Sequence, residues 1–132
     1  MNYSETNYPS QDESYRIIGI CMEVHRILGK GLLEVVYKDA VEYEFQINGI
    51  PYQRERRFDI EYKEIILPHY FVADFVVFDK IILEVKAQRE TVTDQFRFVI
   101  NYLAISKCPL GLLINFGQDS LVTKRIVFDS QN

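Results

Sequence analysis

Two short apolar runs separated by a turn constrain this chain more than any other feature. The first, Phe71-Val72-Ala73-Asp74-Phe75-Val76-Val77-Phe78, holds a single charge, Asp74. The second, Ile81 to Ala87, is apolar apart from Glu84 and Lys86. Asp79-Lys80 between them reads as a tight hairpin turn. Side chains alternate along a strand, so Glu84 and Lys86 share one face while Leu83, Val85 and Ala87 point the other way, into a core. Counted outward from the turn, Asp74 and Glu84 are about equally distant, which makes them cross-strand neighbours. Charges taken into an apolar strand cost several kcal/mol per ion unless compensated. These three must be paired, metal-bound, or placed at a strand end facing a cleft.

Two carboxylates that close repel each other unless something neutralises them. A hard divalent cation with oxygen ligands does so, and Mg²⁺, which keeps several waters, is the natural choice. Lys86 then stands beside the cation as a point charge able to stabilise developing negative charge. The plainer alternative is a structural Glu84–Lys86 pair on a half-exposed strand. For an isolated Glu-x-Lys triplet that alternative wins, but Asp74, one hairpin arm upstream in an otherwise apolar run, favours the metal site.

The elements around this hairpin are legible from periodicity. A first helix is expected over Asp12 to Leu28, with Ile17, Cys21, Val24 and Leu28 on one side and Gly29-Lys30-Gly31 as its end. A second runs over Leu32 to Asn48, with Leu33, Val36, Tyr37, Ala40, Val41 and Phe45 on one broad arc. Lys38, Asp39, Glu42 and Gln46 fall on the opposite, polar side. Glu34 lies at the margin of the apolar arc, so it either faces the protein or serves as an i,i+4 partner for Lys38. Pro51 to Tyr62 and Ile65 to Phe78 read as strands, the latter bent at Pro68, and Ile81 to Ala87 as a strand covered on both faces. A third helix fits Thr91 to Ser106, apolar almost all round through Phe96, Phe98, Val99, Ile100, Tyr102, Leu103 and Ile105, which argues for burial. Strands at Leu110 to Phe116 and Leu121 to Phe128 complete an α/β order of α-α-β-β-β-α-β-β, a sheet with helices on its faces.

The length of 132 residues suits one domain. Residues 1–11 read as a flexible arm and residues 12–132 as the domain. A formal net charge of −4 counts against broad, non-specific coating of duplex DNA, though not against a local basic groove. Cys21 and Cys108 form no CxxC pair, so zinc is not expected and buried thiols in a reducing compartment are. Met1 to Glu13 has no apolar segment typical of a signal peptide, and no run approaches the roughly 18 apolar residues of a membrane span, so a cytoplasmic location is expected.

Gly31-Leu32-Leu33-Glu34-Val35-Val36-Tyr37 spells GxxExxY. Together with Glu23-Val24-His25-Arg26, Ala73-Asp74, Glu84-Val85-Lys86, Asn101-Tyr102-Leu103 and Gly111 to Gly117, taken in order, it resembles the GxxExxY protein family, a branch of the PD-(D/E)XK nuclease superfamily. The resemblance covers nearly all of the chain beyond the arm. It implies a restriction-endonuclease-like PD-(D/E)XK core, a mixed sheet flanked by helices. It implies that Asp74 and Glu84 ligate Mg²⁺ or Mn²⁺ with the Val85 carbonyl, that Lys86 is the catalytic lysine, and that Glu34 reaches the site from its helix. The implied chemistry is metal-assisted attack of water on a phosphodiester of nucleic acid, DNA or RNA.

One position departs from the pattern. The resemblance calls for glutamine four residues before Tyr102, where this chain has Phe98. Either Gln95, about one turn earlier, substitutes, or the glutamine is auxiliary, or the chemistry is weakened. Tyr102 and Gln95 are candidates to shape the pocket, and Arg89, just beyond the Lys86 strand, is placed to hold a phosphate. His25 is expected as a hydrogen-bonded core histidine, and His69 as exposed. Arg54, Arg56 and Arg57 suit either a salt-bridged sheet edge or backbone phosphate contacts. Two other readings stand beside the nuclease: a non-catalytic binding or scaffold module that keeps the fold, and a structural homodimer acting with a partner protein.

Overall fold

In a computed structural model, which describes residues 10–90 and 95–127, the chain builds one mixed sheet between two helical layers. Most of the expected arm, residues 1–9, and the expected helix start at 91–94 lie outside the described residues. The elements are α1 (Gln11–Leu28), α2 (Glu34–Ile47), β1 (Tyr52–Tyr62), β2 (Ile65–Val77), β3 (Ile81–Lys86), α3 (Gln95–Ser106), β4 (Leu110–Asn115) and β5 (Val122–Val127). Sheet order follows chain order, and every neighbouring pair is antiparallel except β3 and β4, which are parallel. Parallel neighbours need a crossover, and α3 supplies it.

Helical spacing decides which residues bind α1 and α2 to the sheet. Ile17, Cys21 and Val24 of α1 and Tyr37, Val41 and Phe45 of α2 are buried against Phe75, Val77, Leu83, Val85, Leu112 and Ile114. Gly29, at φ 70°, ends α1 while its N–H bonds the His25 carbonyl at 2.8 Å. The buried stripe of α2 is narrower than its sequence suggests: Leu33, the residue before the helix, is 74% exposed, and Val36 is also exposed.

The opposite face of the sheet packs on α3 through Val99, Tyr102 and Leu103, against Ala73, Val76, Ile82, Leu113 and Ile126. Contact is close, for a Cβ at Gly111 would lie 2.5 Å from Val99 Cγ1. The expectation that α3 is buried all round is corrected here. Phe98 is 55% exposed and Ile100 is exposed too, because only one face of the helix meets the sheet.

The β2–β3 turn sits one residue earlier than expected. Phe78 and Asp79 both take left-handed backbone, and the Lys80 N–H bonds the Val77 carbonyl at 3.1 Å. Aspartate tolerates that conformation, whereas Phe78 is held in it by a bond from its N–H to the Pro51 carbonyl at 2.9 Å and by Arg16 over its ring. Pro68 falls where the β1–β2 register shifts, between Asp59–Tyr70 and Glu61–Ile66, so its missing N–H interrupts no regular pair.

Candidate active site

The site begins where β2 and β3 stop pairing. Val77–Ile81, Val76–Ile82 and Phe75–Leu83 form a regular antiparallel ladder. The next positions outward are Asp74 and Glu84, and there side chains replace the ladder. Glu84 Oε2 accepts the Asp74 N–H at 2.8 Å, and Asp74 Oδ2 accepts the Val85 N–H at 2.8 Å. Each carboxylate thus satisfies a buried backbone donor that the departing strand leaves without a partner. Asp74 is only 8% exposed and Glu84 5%.

The remaining Asp74 oxygen, Oδ1, meets a cation from another element. Lys38 Nζ lies 2.8 Å from it, 3.4 Å from Glu34 Oε2 and 3.6 Å from Glu55 Oε2. Lys38 therefore does not lie on the solvent side of α2 as its sequence position suggests; its side chain is 14% exposed. The wheel position is the boundary of the apolar stripe, one residue after buried Tyr37, and the long stem carries the ammonium inward. Glu34 takes the plainer of its two expected readings, the i,i+4 pair with Lys38, and that lysine links it to Asp74. Glu55 lies between the Arg54–Phe75 and Arg56–Ala73 pairs of the ladder, opposite Asp74, with φ 56°.

Electrostatics follow from this crowding. Burial first, and then the charge of Asp74, push the Glu84 carboxyl up to about 8, against the opposing pull of the Asp74 N–H, Lys86 and Lys38. Burial alone would lower the Lys38 ammonium, but its hydrogen bond to Asp74 and the charges of Asp74, Glu34 and Glu55 outweigh that, so its pKa is raised. Tyr102 is pushed up to about 12, by burial first and then by Glu84 and Asp74.

Glu84 and Lys86 open into a cavity of about 160 Å³ completed by Phe98, Tyr102 and Leu113. Phe98 stands at this cavity, where the resemblance calls for glutamine. Gln95 opens α3, and its side chain lies outside the described ones. Arg89 lines a different and larger cavity, of about 730 Å³, with Lys30, Gly31 and the Gly117–Ser120 turn, and no carboxylate of the Asp74 cluster reaches it. Asn115 ties the two strand ends together: its Oδ1 accepts the Gln88 N–H at 2.8 Å and its Nδ2 donates to the Gln88 carbonyl at 2.9 Å.

The Gly31, Glu34 and Tyr37 spacing has a mechanical role. The Tyr37 hydroxyl donates to the Gly29 carbonyl at 2.6 Å and accepts the Leu32 N–H at 3.2 Å, while its ring stacks on Phe116 at 4.7 Å. It thereby anchors the loop from which α2, and so Glu34 and Lys38, emerges. His25 makes the expected hydrogen bond, donating Nε2–H to the Gln118 carbonyl at 2.9 Å, but it is half-buried at the edge of the core rather than within it, and His69 is exposed. Arg54 binds Asp39 at 2.8 Å and Glu42 at 2.7 Å, and Arg57 binds Asp59 at 2.8 Å, which is the salt-bridged edge. Cys21 and Cys108 are buried free thiols.

Of the residues the sequence singles out, Asp74, Glu84 and Glu34 lie together with Lys86 at the Glu84 cavity, and the structure adds Lys38 and Glu55, which the sequence does not single out. The Glu34–Lys38 spacing was the available signal for Lys38; nothing in the β1 sequence singles out Glu55.

Among the described residues no three His, Cys, Asp or Glu side chains converge as a ready-made metal cage. The Asp74–Glu84 pair nevertheless suits a hard cation. Both donors are carboxylates, and the Lys38 ammonium already stands in for one at Asp74 Oδ1. Magnesium binds through one or two carboxylates and keeps several waters, so two protein carboxylates suffice.

A mixed sheet whose central hairpin splits to present an aspartate, a glutamate and a lysine, backed by a glutamate-bearing helix, has the architecture of a nuclease fold. The model of the PD-(D/E)XK nuclease superfamily matches residues 11–126, and the chain belongs to that superfamily. Such nucleases generally use divalent metal ions. Among solved structures it is similar to SSO0001, at 16% identity and a TM-score of 0.59, over 92% of this chain and 61% of that one. It thus spans about three fifths of the length of SSO0001. It is also similar to an alkaline exonuclease from Laribacter hongkongensis, at 12% identity and a TM-score of 0.51, over 98% of this chain and 73% of that one. At these identities the likeness is one of fold. No curated protein matches the sequence. Among the described residues no helix is long and apolar enough to cross a membrane.

Proposed function

We propose that residues 12–132 form one nuclease domain that hydrolyses phosphodiester bonds of nucleic acid with Mg²⁺ or Mn²⁺, in the manner the GxxExxY resemblance implies. The observation that carries this reading is the Asp74–Glu84 pair, stitched across the split of β2 and β3 and holding a cation at Asp74 Oδ1. Asp74 and Glu84 hold the metal, with the Val85 carbonyl beside them. When bound, the metal supplies positive charge to the phosphodiester and to the attacking water. Lys86, at the same cavity as Glu84, stabilises the negative charge that builds on the phosphate. Glu34 assists through its ion pair with Lys38. Tyr102 and Phe98 shape the cavity, Gln95 is a further auxiliary residue, and Arg89 holds a flanking phosphate from the neighbouring cavity. The buried free thiols suit a cytoplasmic location.

The test is calorimetric titration of Mn²⁺ into the protein and into Asp74→Ala and Glu84→Ala, followed by cleavage assays on labelled single- and double-stranded DNA and RNA. Binding lost in both variants, with metal-dependent cleavage lost in Lys86→Ala, is the expected result. Cleavage that survives Asp74→Ala and Lys86→Ala would sink the assignment.

Phe98 favours a second reading, a binding or scaffold module that keeps the fold without hydrolysis. It stands at the cavity where a hydrogen-bonding side chain is expected. That reading calls for no Mn²⁺ binding and no cleavage.

A further inference from the structure

We propose that Lys38 is a tethered cation that competes with the divalent metal for Asp74, and that metal loading moves its ammonium across to Glu34 and Glu55. The inference rests on the metal-site reading above and adds the residue that sets the site's affinity. Three observations carry it.

The first is geometric. Asp74 Oδ2 is committed to the Val85 N–H, so Oδ1 is the oxygen left for a metal, and Lys38 Nζ sits 2.8 Å from it. An ammonium at 2.8 Å occupies one lone-pair direction of that oxygen and repels a divalent ion arriving at the other, so the two cations compete for it. The second is that the ammonium has somewhere to go. Glu34 Oε2 and Glu55 Oε2 lie at 3.4 and 3.6 Å, looser than the Asp74 contact, and both side chains are more exposed than that of Asp74. Lysine is a point charge on a flexible four-carbon stem, so small rotations transfer it between anchors without moving the helix.

The third is charge balance. With Asp74, Glu84, Glu34 and Glu55 all ionised, as metal ligation requires of the first two, Lys38 and Lys86 leave two negative charges, which one divalent cation balances. Lys38 by itself does not neutralise the site; it occupies Asp74 Oδ1 until a stronger cation arrives. A site whose binding-competent arrangement is only partly populated binds its ligand more weakly by that fraction. Lys38 therefore lowers the apparent metal affinity while offsetting part of the Asp74 charge when no metal is bound.

The experiment has two arms. Mn²⁺ is titrated calorimetrically into wild type, Lys38→Met and Asp74→Asn. In parallel, wild type with and without saturating Mn²⁺ is acetylated with an N-hydroxysuccinimide ester and each lysine is read by peptide mass spectrometry. We expect Lys38→Met to bind about tenfold more tightly than wild type, worth about 1.4 kcal/mol. Acetylation of Lys38 in wild type should rise severalfold with Mn²⁺, while Lys63 on the exposed β1–β2 turn stays constant. Binding by Lys38→Met alone also supports the proposal, since the ammonium then holds the site shut in wild type. Wild-type binding that is lost in Asp74→Asn, with no rise in Lys38 acetylation, overturns the proposal alone, because simple repulsion would act without displacement. Equal or weaker affinity in Lys38→Met does the same. Absence of binding in both wild type and Lys38→Met overturns the metal-site reading together with this inference. If Lys38→Met fails to fold, the labelling of wild type decides.

Discussion

The two halves of the β2–β3 hairpin are built on opposite principles. Next to the turn, Phe75, Val76 and Val77 pair with Leu83, Ile82 and Ile81 through backbone bonds, and all of these side chains are buried apolar groups. Directly beyond, at Asp74 and Glu84, the strands part and carboxylates take over the backbone donors. The first half stabilises the fold; the second places two buried acids side by side, which stabilises it poorly. Sites that perform chemistry are where such local inconsistency is expected. The sharpest way to separate the halves is Asp74→Asn. It keeps the size of the side chain but removes the charge, and is expected to reduce metal-dependent cleavage about a thousandfold, the scale of losing a key electrostatic group. Single-turnover cleavage measures it. Thermal denaturation without metal should show a fold still intact.

The other half answers to a different substitution. Ile81 is fully buried beside the turn, at the far end from the carboxylates. Ile81→Ala is expected to cost about 3 kcal/mol of stability through lost burial and a residual cavity. Urea denaturation reads this, and cleavage per folded molecule should be nearly unchanged. If instead activity falls with stability intact, the hairpin is one coupled unit and the contrast fails.

A subtler separation comes from pH. Glu84 has a folded pKa raised from 4.5 to about 8. The folded state therefore holds that proton more tightly than the unfolded chain. The resulting stabilisation is fully present below the unfolded value and is lost as pH rises through the folded one. Without metal, stability should decline between about pH 4.5 and 8, and Glu84→Gln should flatten that decline. Melting curves across this range, with EDTA present, make the measurement. A steeper fall in the variant would show that Glu84 is not the group responsible.

Periodicity explains why so much of this was legible in the sequence. Alternation placed Glu84 and Lys86 together, the run lengths on either side of the turn placed Asp74 opposite Glu84, and the stripe Tyr37, Val41, Phe45 docked α2. The element order also follows from periods of two and of about 3.6 residues. What the sequence hid depends on packing between elements. Lys38 sits on the border of a helix stripe, and only the docking of α2 over the β2–β3 split turns its stem inward. Glu55 joins the cluster because β1 pairs with β2 in one particular register. The apolar residues of α3 suggested burial all round, yet one face of that helix meets the sheet.

Phe98 is where that last error bears on chemistry. It is exposed at the mouth of the Glu84–Lys86 cavity, so its ring adds little to the core, and substitution there should change stability by no more than about 0.5 kcal/mol. Phe98→Gln would place a hydrogen-bonding amide at the cavity. If the site positions its attacking water through that position, cleavage should rise by up to about tenfold, equivalent to about 1.4 kcal/mol of transition-state stabilisation. The gain should appear in kcat rather than KM, because an amide that orients water acts during the chemical step. A fall in nucleic-acid affinity with no gain in kcat would give Phe98 another role, as an aromatic surface on which a base stacks beside Lys86. The two outcomes distinguish a site weakened by its phenylalanine from one that uses it.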